Sequence, residues 1–149
     1  MTAHMTAHMM SATDADLDLD LQKVLEFRDG IPGFPASHRF MLSDLSEDGS
    51  FQLLTSLDEE VVSMVVSVPW QFFPEYKPEI DSVQERELGL SASEEAIVFC
   101  PVTLDGDAET IYFNLLGPFI VNSRTRQGRQ VVLADNAIPF RAPLALSGA

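Results

Sequence analysis

Val61-Val62-Ser63-Met64-Val65-Val66-Ser67-Val68 is the stretch that decides the fold. In an extended chain, Val62, Met64, Val66 and Val68 point one way and Val61, Ser63, Val65 and Ser67 the other. Period two in β-branched residues predicts a strand. One wholly apolar face and one mixed face predict a sheet packed on a core with its back partly covered.

Working outward, the same grammar recurs on both sides. Upstream lie a short apolar strand at Val24–Phe27 and further strands at Arg39–Leu42 and Phe51–Leu57. The first two are separated by Gly30-Ile31-Pro32-Gly33-Phe34-Pro35, where two glycines and two prolines cannot continue a ladder. Gly30 and Gly33 are expected at positive φ. Downstream, Ile97–Leu104 and Thr110–Leu116 read as a hairpin around Asp105-Gly106-Asp107. Phe119–Asn122 and Gln130–Leu133 read as a second hairpin, across a loop carrying Arg124, Arg126 and Arg129. Asn114 and Asn122 are placed at strand ends to bond neighbouring backbone.

Asp81 to Leu90 is the one good helix, with Asp81 as N-cap, Gln84 three residues on, and Gly89 placed to end it. Val83 and Leu88 supply its modest apolar face. Ahead of it, Pro69-Trp70-Gln71-Phe72-Phe73-Pro74-Glu75-Tyr76 packs four aromatics between prolines, which reads as a loop closing the core or as a contact surface. The expected fold is therefore mainly β: a small single-domain β-barrel-like fold with one or two short helices.

The chain has 149 residues, one domain's worth. Nine Lys and Arg face 23 Asp and Glu, a net charge of −14. Such a polyanion repels nucleic acid and anionic lipid and attracts basic partners, so direct nucleic-acid or membrane binding is not expected. The single cysteine, Cys100, excludes an internal disulfide and suits a reducing, cytoplasmic compartment. No apolar run is long enough to span a membrane, and no secretory signal opens the chain. Residues 1–15 read as a disordered or cloning-derived tail, His4 and His8 within it being incidental, and 145–149 as a C-terminal tail.

Signals for chemistry are weak. Asp14, Asp16, Asp18 and Asp20 resemble the start of a calcium loop, but Leu19 or Leu21 stands where its glycine belongs, and Leu25 or Phe27 where its glutamate belongs. An acidic edge strand or frayed tail reads better. Cys100 lies inside an apolar strand, with His38 the only histidine in the body to activate it. No zinc spacing and no phosphate-cradling glycine loop is present. No catalytic residue, metal or cofactor is assigned.

The ordered motifs are more specific than composition. Gly30-Ile31-Pro32-Gly33-Phe34 follows the strand ending at Phe27, and Pro69 is followed by Phe72, Phe73, Pro74 and Tyr76. Then come Asn114-Leu115, Gly117-Pro118, Ile120-Val121-Asn122, and Gly128 with Gln130-Val131-Val132-Leu133. This series resembles the flagellar assembly factor FliW family over about residues 16–144. The resemblance implies a compact β-barrel-like domain without catalysis, monomeric when free. It also implies two protein partners, the RNA-binding translational regulator CsrA and flagellin. FliW-like proteins relieve CsrA's repression of flagellin mRNA translation, and newly made flagellin competes for them. An acidic ligand suits a protein that grips RNA phosphates. The expected contact is Phe73 and Tyr76 as aromatic anchors with Glu75, Glu79, Asp81, Glu85 and Glu87 around them. Two other readings are a small carboxylate-dependent hydrolase and an export chaperone with flagellin as its only client.

Overall fold

The computed structural model describes residues 24–104, 109–135 and 137–145. Among them are nine strands and one α-helix: β1 (Leu25–Glu26), β2 (Arg39–Asp44), β3 (Phe51–Ser56), β4 (Ser63–Ser67), α1 (Ser82–Leu88), β5 (Ala96–Leu104), β6 (Thr110–Phe113), β7 (Phe119–Asn122), β8 (Gly128–Gln130) and β9 (Ala142–Ala145). Two 3₁₀ turns, Pro69–Gln71 and Ser93–Glu95, flank α1. The acidic alternation at Asp14–Asp20, His4, His8 and the Asp105-Gly106-Asp107 hairpin tip lie outside the described residues.

Every strand pair is antiparallel. The path runs β1-β2-β3-β4-β5-β6-β9, with β7 branching from β5 and β8 pairing β7. β5 holds both branches because it is long: its Ala96–Phe99 half pairs β7 and its Val102–Leu104 half pairs β6. β1 approaches the far end of this path through a single parallel bridge, Glu26 to Gln127, and one bond from the Glu26 N–H to the Arg126 carbonyl at 2.8 Å. One bridge is not a ladder, so the mainly β expectation holds while the described sheet is not closed into a barrel.

Side-chain alternation along this sheet feeds two cores on opposite faces. Phe40, Leu54, Val66, Phe99, Phe119 and Val121 point to one, where Phe27 packs edge-on against Phe40 and Phe119 at 5.4 and 5.6 Å between ring centroids. Cys100, Val102, Ile111, Phe113 and Ile120 point to the other. β7 is buried at all four positions because its alternate residues serve both cores. On β4, Met64 and Val66 serve the first core and Val65 the second. Ser67 is fully buried; its hydroxyl donates to the Ser50 carbonyl at 2.5 Å, which compensates its desolvation.

Several boundaries differ from the sequence reading. Val68 leaves the strand to precede the Pro69 turn, and both it and Val61 are exposed. Val131–Leu133 is not a strand. Val131 N–H donates to the Pro118 carbonyl at 2.9 Å, but Pro118 has no N–H to return, so reciprocal pairing stops at Gln130. β9 has no counterpart in the sequence reading. Pro143 argues against a strand, yet β9 pairs only β6 in the described sheet, and an edge tolerates a missing donor. Gly30 and Gly33 do stand at positive φ, 75° and 90°, and a Cβ on Gly30 would lie 2.8 Å from the Pro35 carbonyl oxygen.

Candidate protein-docking surface

The segment from Pro69 to Glu95 crosses from β4 to β5 and carries every residue proposed for contact. Its first part is pinned to the body by its rings. Phe72 stacks on Phe51 at 5.5 Å, and Phe73 meets Phe113 edge-on at 5.2 Å. The Tyr76 hydroxyl donates to the Leu115 carbonyl at 2.6 Å, and Trp70 Nε1 donates to the Tyr76 carbonyl at 2.7 Å. Tyr76 is thus a buried core residue and Phe73 is half-buried. Of the two aromatics expected as anchors, Tyr76 has both its ring and its hydroxyl engaged inside the protein.

The second part is α1. Asp81 accepts the Gln84 N–H at 2.8 Å, and Gly89 ends the helix at φ 68°. Leu88 is buried as its position requires, while Val83 remains half exposed. What positions this short helix is Asn122, fully buried at the end of β7. Its Nδ2 donates to the Leu88 and Gly89 carbonyls at 2.8 and 3.2 Å, capturing acceptors left open at the helix end. Its Oδ1 accepts the Arg124 and Thr125 N–H groups at 2.8 and 3.2 Å. Asn122 was expected to bond neighbouring backbone; the bonds to α1 extend that role across the fold.

The five carboxylates do not form one cluster. Glu79 and Glu85 are exposed and both line a groove of about 840 Å³, whose lining includes Trp70, Ile80, Leu90, Val98 and Ile120. Glu75 borders a neighbouring groove of about 650 Å³ with Phe73, Leu115 and Ile138, and the two grooves share Tyr76 and Lys77. Asp81 is occupied as the helix cap. Glu87 lies at a third recess, of about 260 Å³, where it and Asp29 both pair with Arg129. Sequence reasoning missed Ile80 and Leu90, whose only signal is an apolar side chain within a polar stretch. It also missed Val98 and Ile120, which read as ordinary strand residues.

Cys100, Tyr76 and His38 are each engaged within the body. Burial pushes the Cys100 thiol from its ordinary 9.0 up to about 12, despite a neighbouring Tyr76 hydroxyl. Tyr76 is likewise raised, by burial first and then by Cys100. His38 Nδ1 lies 3.1 and 3.0 Å from the Phe27 and Arg28 carbonyls, acceptors that require Nδ1–H. The carboxylates whose pKa moves are lowered, whereas a general acid needs the opposite. Asp58 is held down first by the His38 and Arg39 N–H groups, Asp48 by Ser50, and Glu95 by the Ser91 N–H and then by Arg124. Among the described residues, no group of His, Cys, Asp and Glu could hold a metal ion. Among the described residues, no helix is long and apolar enough to cross a membrane.

These shifts contribute to the pH dependence of stability. Lowered carboxylates contribute above their ordinary values of 3.8 and 4.5, and that contribution is lost as pH falls through the folded values. Cys100 and Tyr76, raised, contribute fully below 9.0 and 10.0, and their contribution is lost as pH rises through the folded values. Urea midpoints measured against pH should form a plateau between about 5 and 9 and fall on both sides. A Cys100→Ser variant with an undiminished alkaline fall would remove the thiol from that limb.

A family model described as FliW protein matches residues 9–144. The chain is 30% identical over 135 residues to the flagellar assembly factor FliW of Clostridium beijerinckii, covering 91% of this chain and 96% of that protein. It is 33% identical over 128 residues to the same-named protein of an Exiguobacterium species, covering 86% and 88%. A crystal structure of the flagellar assembly factor FliW superposes with a TM-score of 0.78 over 94% of this chain and 93% of the other, at 21% identity.

Proposed function

We propose, because this chain belongs to the FliW family, that it serves flagellar assembly as a docking protein of the bacterial cytoplasm, monomeric when free, without catalysis of its own. Its partners are the translational regulator CsrA and flagellin. By occupying CsrA it relieves repression of flagellin mRNA translation, and flagellin takes it back. The observation that carries this reading is the family match across nearly the whole chain. The net charge of −14 supports it, because an RNA-binding protein presents cationic surface that an acidic body attracts. Once docked, that body repels RNA from nearby surface over about 8 Å at physiological salt.

Glu75, Glu79 and Glu85 are the exposed carboxylates of the proposed contact that are not tied up in a cap or an ion pair among the described residues. Glu79→Lys/Glu85→Lys, which spares the Asp81 cap, should weaken CsrA binding at least about tenfold in calorimetry and flatten its salt dependence. Unchanged affinity in a variant with native circular dichroism would take these two residues out of the contact.

A further inference from the structure

We infer that the 840 Å³ groove between Trp70, Ile80 and Leu90 is the seat for a partner's cationic amphipathic helix, whose apolar side chains enter while Lys or Arg on its flanks meet Glu79 and Glu85. The inference rests on the reading of this chain as a docking protein and names what one of its surfaces takes.

The shape of the floor selects a helix. Val98 of β5 and Ile120 of β7 stand directly opposite each other in a paired ladder, and both contribute apolar side chains to the lining. An extended peptide laid across these side chains would leave its own N–H and C=O groups unpaired against an apolar surface. A helix satisfies its backbone internally and buries one stripe, the usual solution for a groove walled by a loop and a helix. The walls here are the loop through Tyr76–Ile80 and the span from α1 to Ser93.

The charge selects a cation. Glu79, ahead of α1, and Glu85, on α1, both line the groove and have no ion-pair partner among the described residues, whereas Asp29, Asp58, Glu87 and Glu95 are paired. Lys77 is the lining's only cation among the described residues. Carboxylates from two elements beside an apolar lining complement a helix with basic flanks and repel one with acidic flanks.

The protein supplies its own reporter. Trp70 is its only tryptophan, is 39% exposed, and sits at the groove. The probe is a tryptophan-free peptide of about five helical turns, with leucines on one face and lysines on its flanks. Two controls go with it: the same composition scrambled to destroy the face, and the same face flanked by glutamate. The lysine-flanked helix should bind the full chain and shift Trp70 emission to the blue, with the controls at least tenfold weaker. Glu79→Lys/Glu85→Lys and, separately, the partly buried Ile80→Glu should each weaken that binding at least tenfold. Equal binding of the scrambled peptide, a silent Trp70, indifference to Ile80→Glu in a folded variant, or no binding of the lysine-flanked helix would each overturn the assignment. Helix binding that survives in a chain unable to hold CsrA would keep the groove and reject the regulatory reading. CsrA binding indifferent to Ile80→Glu would do the reverse.

Discussion

Phe113→Ala should lower the stability of the fold by about 3–5 kcal/mol, the range for deleting a buried phenylalanine. Phe113 is fully buried on β6, and its ring meets Phe51, Phe72 and Phe73 at 6.4, 5.6 and 5.2 Å. Its removal opens a cavity under the aromatic loop, and Phe72 and Phe73 cannot fill it without pulling Pro69 and Tyr76 out of place. With a urea slope of roughly 2 kcal/mol/M, the midpoint should fall by about 2 M at unchanged slope. The loop forms one wall of the groove, so Trp70 emission should move with the mutation before unfolding begins. A fall in midpoint of a few tenths molar would mean that Phe113 is not the keystone of this core.

Asn122→Ala should cost about 3 kcal/mol for a different reason. Alanine keeps only the Cβ and supplies no partner for the buried Leu88 carbonyl or for the Arg124 N–H, and an unpaired buried group costs about 1–3 kcal/mol. The loss is local as well as global. α1 has only seven residues, too few to persist without tertiary support. Hydrogen exchange in α1 should therefore speed up far more than exchange in β3 or β5. Uniform acceleration across the sheet would show that Asn122 stabilises the body and does not specifically hold the helix.

What the sequence disclosed follows the range of each interaction. The α1 boundaries were legible because Asp81, Gln84 and Gly89 act within one turn of themselves. β7 was legible from its run of apolar residues. The burial of Tyr76 was not, because it depends on the carbonyl of Leu115, 39 residues away in sequence. Nor was the groove, whose walls come from residues 77–93 and whose floor from Val98 and Ile120 on two further strands. The aromatics of Pro69–Tyr76 read as closing the core or as a contact surface because local pattern cannot tell a ring facing inward from one facing out. Pro143 hid β9 because its place at a sheet edge is a property of the topology, not of the residue.

On the proposed reading, this acidic β protein acts through what it docks against. The direct measurement mixes the purified chain with CsrA already holding a labelled flagellin leader RNA and follows the RNA. Stoichiometric addition should release the label, while the chain alone retains none. RNA that stays on CsrA at saturating chain, or that transfers to the chain itself, would contradict the claim.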